Sequence, residues 1–404
     1  MRIIKTVIRK KSLKLFGILL VTFFTPVAAI LSTEILPEAV NYMSEAAKYS
    51  VVSRPLAEKV GINNGEQLLF SPAEKDYNEE PAAELPVFEE QERTAERLSL
   101  NISEEHEDLT LFSAQSGRIY EETFRKGNGE NYINLQKGGQ VRNCTELENA
   151  FVAEEALKPS NIGVELYSQQ PQVLIMHTHT SESYEPYEKD WFDESYTSRS
   201  ADAGNSVVAV GEAIAEELSR SGISVIHDGT IHDEIYSGAY SRSLQTTLSI
   251  LSEYPSIKII LDIHRDAIEY EDGSHVSAVA EIDGKKAAQV MIISAADEGS
   301  YDIPNYLGNF HFACEFQQAM EQNYSGLTRP VLFQYCQYNQ QVSTGSLLVE
   351  VGSHGNTVEQ AVYSGHLIGK ALSGLLLEKA EESYMSDGRN RNDVMPLYFI
   401  KRLR

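Results

Sequence analysis

Apolar and polar positions follow two alternating periods through the second half of the chain. Short apolar runs of strand length recur at Val173–Met176, Ile223–Asp228, Ile257–Asp266, Val276–Ile282, Ala287–Ser294, Arg329–Cys336 and Ser346–Gly352. Between them, apolar residues fall at helical spacing over 207–221, 240–253, 305–323 and 356–383. Ser206 stands where an N-cap is expected and Gly222 where a helix stops. Asp283-Gly284 separates two of the runs and predicts a hairpin turn. A further helix is expected over Cys144–Leu157, with Thr145 as its N-cap. Strands alternating with helices predict an α/β fold, a largely parallel or mixed central sheet flanked by helices on both faces.

The first third of the chain patterns differently. Arg2, Lys5, Arg9, Lys10, Lys11 and Lys14 precede an apolar run from Leu15 to Leu31, and Glu34 is the first acid. That order predicts a transmembrane helix with its basic flank in the cytoplasm and the rest of the chain outside. A cleaved signal peptide, with Val27 and Ala29 at the cleavage pattern, is the alternative. Low hydrophobicity and dense acids from Ser71 to Asp108 read as a linker. The expected organisation is anchor 1–36, helical patch and acidic linker 37–130, lead-in 131–170, catalytic domain 171–383 and tail 384–404.

A formal charge of −25 argues against nucleic acid as partner, since phosphate binding needs clustered Lys and Arg. Three cysteines without C-x-x-C spacing give neither a disulfide framework nor a thiolate zinc site.

The candidate chemistry gathers where buried runs turn polar. Val173–Met176 is followed by His177, Thr178, His179, Thr180, Ser181 and Glu182. The strand ends of open α/β sheets are where ligands bind. His179-x-x-Glu182 fits a zinc-ligand pair, and His264, at the end of its own apolar run, is the expected third ligand. Glu350 lies inside Ser346–Gly352, where burial would raise its pKa and suit it to act as a general base on water activated by the metal. His177, two residues before His179, is expected to orient a ligand or touch substrate, and the two could exchange roles. Arg265 is a candidate to hold a substrate carboxylate or an oxyanion. Asn339 and Gln340 are candidates to hydrogen-bond peptide amides.

The segments VLIMHTHTSESY, LDIHRD, YNQ and LLVEVGSHGNT, in that order, resemble the stage II sporulation protein P family of endospore-forming bacteria. The resemblance implies the fold of the zinc N-acetylmuramoyl-L-alanine amidases, with Zn²⁺ held by His179, Glu182 and His264 and with Glu350 catalytic. It implies cleavage of the amide between muramic acid and L-alanine in septal peptidoglycan during engulfment, with endopeptidase activity on the cross-links. It implies a place in the septal membrane and stage II sporulation proteins D and M as partners. Unlike many relatives, the chain has no basic residue in Ser343–Ser346. A metallocarboxypeptidase would use the same ligand types; free lactyl carboxyls among the products would separate the two. A non-catalytic peptidoglycan-binding scaffold would hold no metal and tolerate Glu350→Gln.

Overall fold

The computed structural model describes residues 69–71, 116–193 and 198–386. The expected membrane segment, the tail from Asp387 and almost all of the acidic linker lie outside them. Among the described residues no helix is long and apolar enough to cross a membrane.

Among the described residues, eight strands form a mixed central sheet. Its centre is β5 (Val173–Met176), β8 (Ile259–Glu269) and β13 (Ser346–Ser353), all parallel. β7 (Val225–His227) extends it beyond β5. On the other side β11 (Val290–Ala296) runs antiparallel to β13 and parallel to β12 (Val331–Tyr335). β4 (Gln140–Cys144) and β3 (Tyr132–Asn134) close that edge.

The last part of β8 continues past the sheet. It pairs with β1 (Leu69–Ser71) and, through Glu269↔His275, with β9 (His275–Ile282). β9 pairs with β10 (Lys285–Ala288) and with β2 (Ser116–Glu122), which in turn carries β6 (Trp191–Asp193). The hairpin turn is where the sequence put it: Asp283 and Gly284 both have positive φ, 51° and 74°. The run Ala287–Ser294 is not one strand, because Gln289 separates β10 from β11 and its side chain bonds the backbone of Phe124 and Gly326.

Helices cover both faces. α2 (Val207–Arg220), α4 (Tyr306–Asn323) and α5 (Val358–Ser386) pack with Ile175, Ile263 and Val349. α3 (Ala239–Glu253) covers the opposite face, against Leu174, Met176 and Ile260. All eight residues of β13 are buried. Each fully buried Val, Leu or Ile contributes about 1.5–3 kcal/mol, enough together to hold a strand that also buries a carboxylate.

The expected helix over Cys144–Leu157 is shorter, α1 (Asn149–Glu155), because Gln140–Cys144 is drawn into the sheet beside β12. Thr145 is not its N-cap; its hydroxyl accepts from the Leu147 amide in a turn organised by Asn143. The segment expected as a lead-in therefore builds one edge of the central sheet.

Candidate active site

The site lies just past the C-terminal end of β5, beside the middle of β8 and of β13, on the face covered by α3. Side chains alternate along a strand. Asp262 and His264 therefore share the α3 face with Ile260, and Glu350 shares it with Leu348, which packs near Tyr240 of α3. His264 and Glu350 are neighbours in the parallel register of β8 and β13.

β5 stops at Met176, and the chain then turns tightly. The Glu182 amide donates to the carbonyl of His179 at 3.0 Å, which closes the H-x-x-E turn. The turn carries His179 and Glu182 over the middle of β8, at His264 and Arg265. Glu182 Oε2 lies 3.4 Å from Nδ1 of His264 and accepts from the Arg265 amide at 3.1 Å. The rings of His179 and His264 stand 5.3 Å apart, edge to face. Tyr236 stacks on His179 at 4.7 Å and Tyr240 meets it edge-on at 5.5 Å.

His264 is flanked by two acids. Its Nε2 is 3.0 Å from Asp262 Oδ1, a close ion-pair contact whose geometry is too bent for a hydrogen bond. Asp262 is itself fixed by Thr178, whose amide and hydroxyl each donate to it at 2.7 Å. Burial opposes charge on His264, but Asp262 and Glu182 outweigh it and raise its pKa well above the ordinary value. Burial likewise opposes charge on Glu182, yet His264, Arg265 and His179 hold its carboxyl far below the usual range. Burial pushes His179 down to about 4, so its imidazole is neutral.

Glu350 is raised to about 8, first by burial and then by the neighbouring Asp266 carboxylate. Asp266 is paired to Arg329 at 2.8 Å, whereas Oε2 of Glu350 is buried with no hydrogen-bond partner. Beyond Glu350, β13 bulges against β8 at Gly352. Gly352 has φ +66°, and a Cβ there would lie 2.6 Å from Asn356 Oδ1. Only glycine fits, and the bulge ends the strand just past the carboxylate.

The donor types gathered here suit a metal ion. Both ring nitrogens of His179 and of His264 are buried without hydrogen-bond partners, beside two carboxylates. Imidazole nitrogen and carboxylate oxygen are the donors zinc takes, and an acid behind a ligand histidine is a common support.

His177 is not among them. Because β5 has ended, the turn sends His179 to the α3 side, while His177 keeps the side of Ile175 and faces α2. Its Nδ1 is 3.0 Å from the Ile263 carbonyl and its Nε2 3.0 Å from Nε2 of His227. Burial and His227 lower its pKa to about 3.

Arg265 has a different task from the one expected. Its guanidinium donates to the carbonyls of Ser183, Ser198 and Asp266, leaving it clasped to the loop that follows Glu182. Gln340 is likewise engaged by backbone: its amide bridges the Ala295 N–H and the Ile293 carbonyl. Asn339 donates to the Tyr240 carbonyl and the Ser243 hydroxyl, so it fixes α3 over the site.

Sequence reasoning passed over Asp262 and Asp233. Asp262 was legible as i−2 to His264 on one strand face. Asp233 was not. It arrives from a loop, accepts from the Ser181 amide and hydroxyl, pairs with Arg199 at 2.7 Å and approaches His179 Nδ1 at 3.9 Å.

A family model described as stage II sporulation protein P matches residues 75–373 of the chain. No curated protein matches it. Among solved structures, the N-acetylmuramoyl-L-alanine amidase AmiC2 of Nostoc punctiforme is 12% identical, with 52% of this chain and 97% of that one covered and a TM-score of 0.31. The CwlD amidase of Clostridioides difficile, solved in complex with the GerS lipoprotein, is 11% identical over 53% and 98%, TM-score 0.31. A metallo-carboxypeptidase from Burkholderia cenocepacia is 12% identical over 54% and 60%, TM-score 0.30.

Proposed function

Because the chain belongs to the stage II sporulation protein P family, we propose that it is a sporulation hydrolase of peptidoglycan. The bond it cleaves is the amide between N-acetylmuramic acid and L-alanine, and peptide cross-links are a second substrate. The observation that carries this reading is the Glu350 carboxylate, buried and unpartnered, in register beside His264.

His179, Glu182 and His264 would hold zinc, which when bound supplies Lewis acidity to the scissile carbonyl and to water. Asp262 orients the His264 ring from behind through its own bonds to Thr178. Glu350, with a pKa near the working pH, takes a proton from the attacking water and delivers it to the leaving nitrogen. Arg265 acts through position: its clasp on the Ser183 and Ser198 carbonyls fixes the loop after Glu182. The carboxypeptidase alternative needs a cation for a terminal carboxylate. Arg265 was its sequence candidate, and that guanidinium is engaged elsewhere. Membrane attachment through Leu15–Leu31, and action with stage II sporulation proteins D and M, extend the same proposal.

The test is solubilisation of purified sacculi by the full chain. Activity that is lost with a chelator and restored by Zn²⁺ supports the reading. Activity indifferent to chelation removes the metal from it.

A further inference from the structure

A second cluster of ligand-type side chains stands apart from this site. Glu269 ends β8, His275 begins β9, and His354 follows β13 just after the Gly352 bulge. Donor atoms of the three all lie within 4.8 Å of one another. Nε2 of His354 is 3.7 Å and Nε2 of His275 is 4.0 Å from the same oxygen, Oε1 of Glu269.

The arrangement is held from several sides. Glu269 and His275 are register partners across β8 and β9. The His354 amide donates to the Asp266 carbonyl at 3.1 Å, which ties its loop to β8. The imidazoles meet edge to face, 3.8 Å between centroids, and Phe192 of β6 stacks on His275 at 3.5 Å. Strand alternation puts Glu269 on the face of Arg265, opposite His264, and five residues along a strand is about 16 Å. The cluster is therefore separate from the proposed catalytic centre.

Among the described residues, Nε2 of His354, which faces Glu269, is buried without a hydrogen-bond partner, and His275 is orphaned at its other ring nitrogen, Nδ1. His354 is 5% exposed, so an orphaned nitrogen there is costly. An ion resolves it. Zinc in tetrahedral geometry sets donors about 3.3–3.5 Å apart, so the side chains need close only slightly. Burial and the charge of Arg265 keep both imidazoles in the neutral form that binds metal.

We propose that Glu269, His275 and His354 form a second site for a borderline divalent cation such as Zn²⁺, joining the start of β9 to the end of the strand that carries Glu350. Three protein ligands leave one position to solvent. The bound ion pins the bulge beyond Glu350, and the role is positional.

Equilibrium dialysis of the full chain against buffered Zn²⁺ tests this, with Glu269→Gln, His354→Gln and His179→Gln beside the wild type. Glu269 is exposed at the strand end, so Glu269→Gln preserves folding, which circular dichroism checks. The expected result is that Glu269→Gln and His354→Gln each bind one zinc ion fewer than wild type, and that His179→Gln also loses one, a different one. If Glu269→Gln and His354→Gln bind as much as wild type, the second site is overturned, whatever His179→Gln does. If zinc is lost from Glu269→Gln and His354→Gln but not from His179→Gln, the second site stands and the catalytic centre proposed above fails.

Discussion

Glu350 and His264 occupy paired positions on adjacent parallel strands, β13 and β8. The relationship places a carboxylate with a pKa of about 8 beside an imidazole held between two acids. In the proposed mechanism one group moves a proton, and the other belongs to the set that would hold a metal.

Glu350→Gln separates those tasks. The variant should retain the wild-type zinc content, because Glu350 is not in the ligand set. Its kcat should fall by about 10²–10⁴-fold, the usual contribution of a positioned acid–base group. Metal analysis and turnover on the same sample check this. Loss of metal together with activity would move Glu350 into the ligand set.

The same carboxyl makes the metal-free fold sensitive to pH. Its folded pKa of about 8 exceeds the ordinary value of 4.5. A raised folded pKa means that its contribution to stability is whole below the unfolded value and is lost as pH rises through the folded one. Between about pH 4.5 and 8, metal-free wild type should lose thermal stability relative to metal-free Glu350→Gln. Parallel melting curves across that range would show that Glu350 is not held protonated.

The strand pattern carried most of the fold. β5, β8 and β13 are mostly apolar runs, legible because both their faces are largely buried. His264 and Glu350 stood out as polar interruptions of those runs. The role of His177 was harder to read because strand alternation, extended two residues past Met176, put it on the same side as His179. The chain turns there, and a turn made of Thr, His and Ser has no glycine or proline to announce it. Arg265 was misjudged for a related reason. Its neighbours are carbonyls from a loop, and carbonyls leave no mark in a sequence. The helix at Asn149 was overextended because β4 competes for the same residues through long-range pairing.

Asp262→Asn should weaken metal retention without abolishing it. The acid stands behind His264 and is not a proposed ligand, and loss of such support costs about 10–100-fold in affinity. Competition with a chromophoric chelator reads the change. Undiminished affinity would contradict the assignment of Asp262.

His177→Gln distinguishes the two histidines of the turn. His177 packs against His227 under α2, where Gly211 leaves so little room that an added Cβ would sit 2.7 Å from the His177 ring. His177→Gln should keep its zinc and melt at a lower temperature, while His179→Gln loses zinc. The reverse outcome would exchange their roles.

Hydrolysis of the amide between muramic acid and L-alanine is the reaction proposed for this site. Mass spectrometry of peptidoglycan digested by the full chain tests it most directly. The expected products are stem peptides with a free N-terminal alanine and glycan with free lactyl carboxyls, both absent from the Glu350→Gln digest. Release of only terminal amino acids or cross-link fragments, with every lactyl–alanine amide intact, would contradict it.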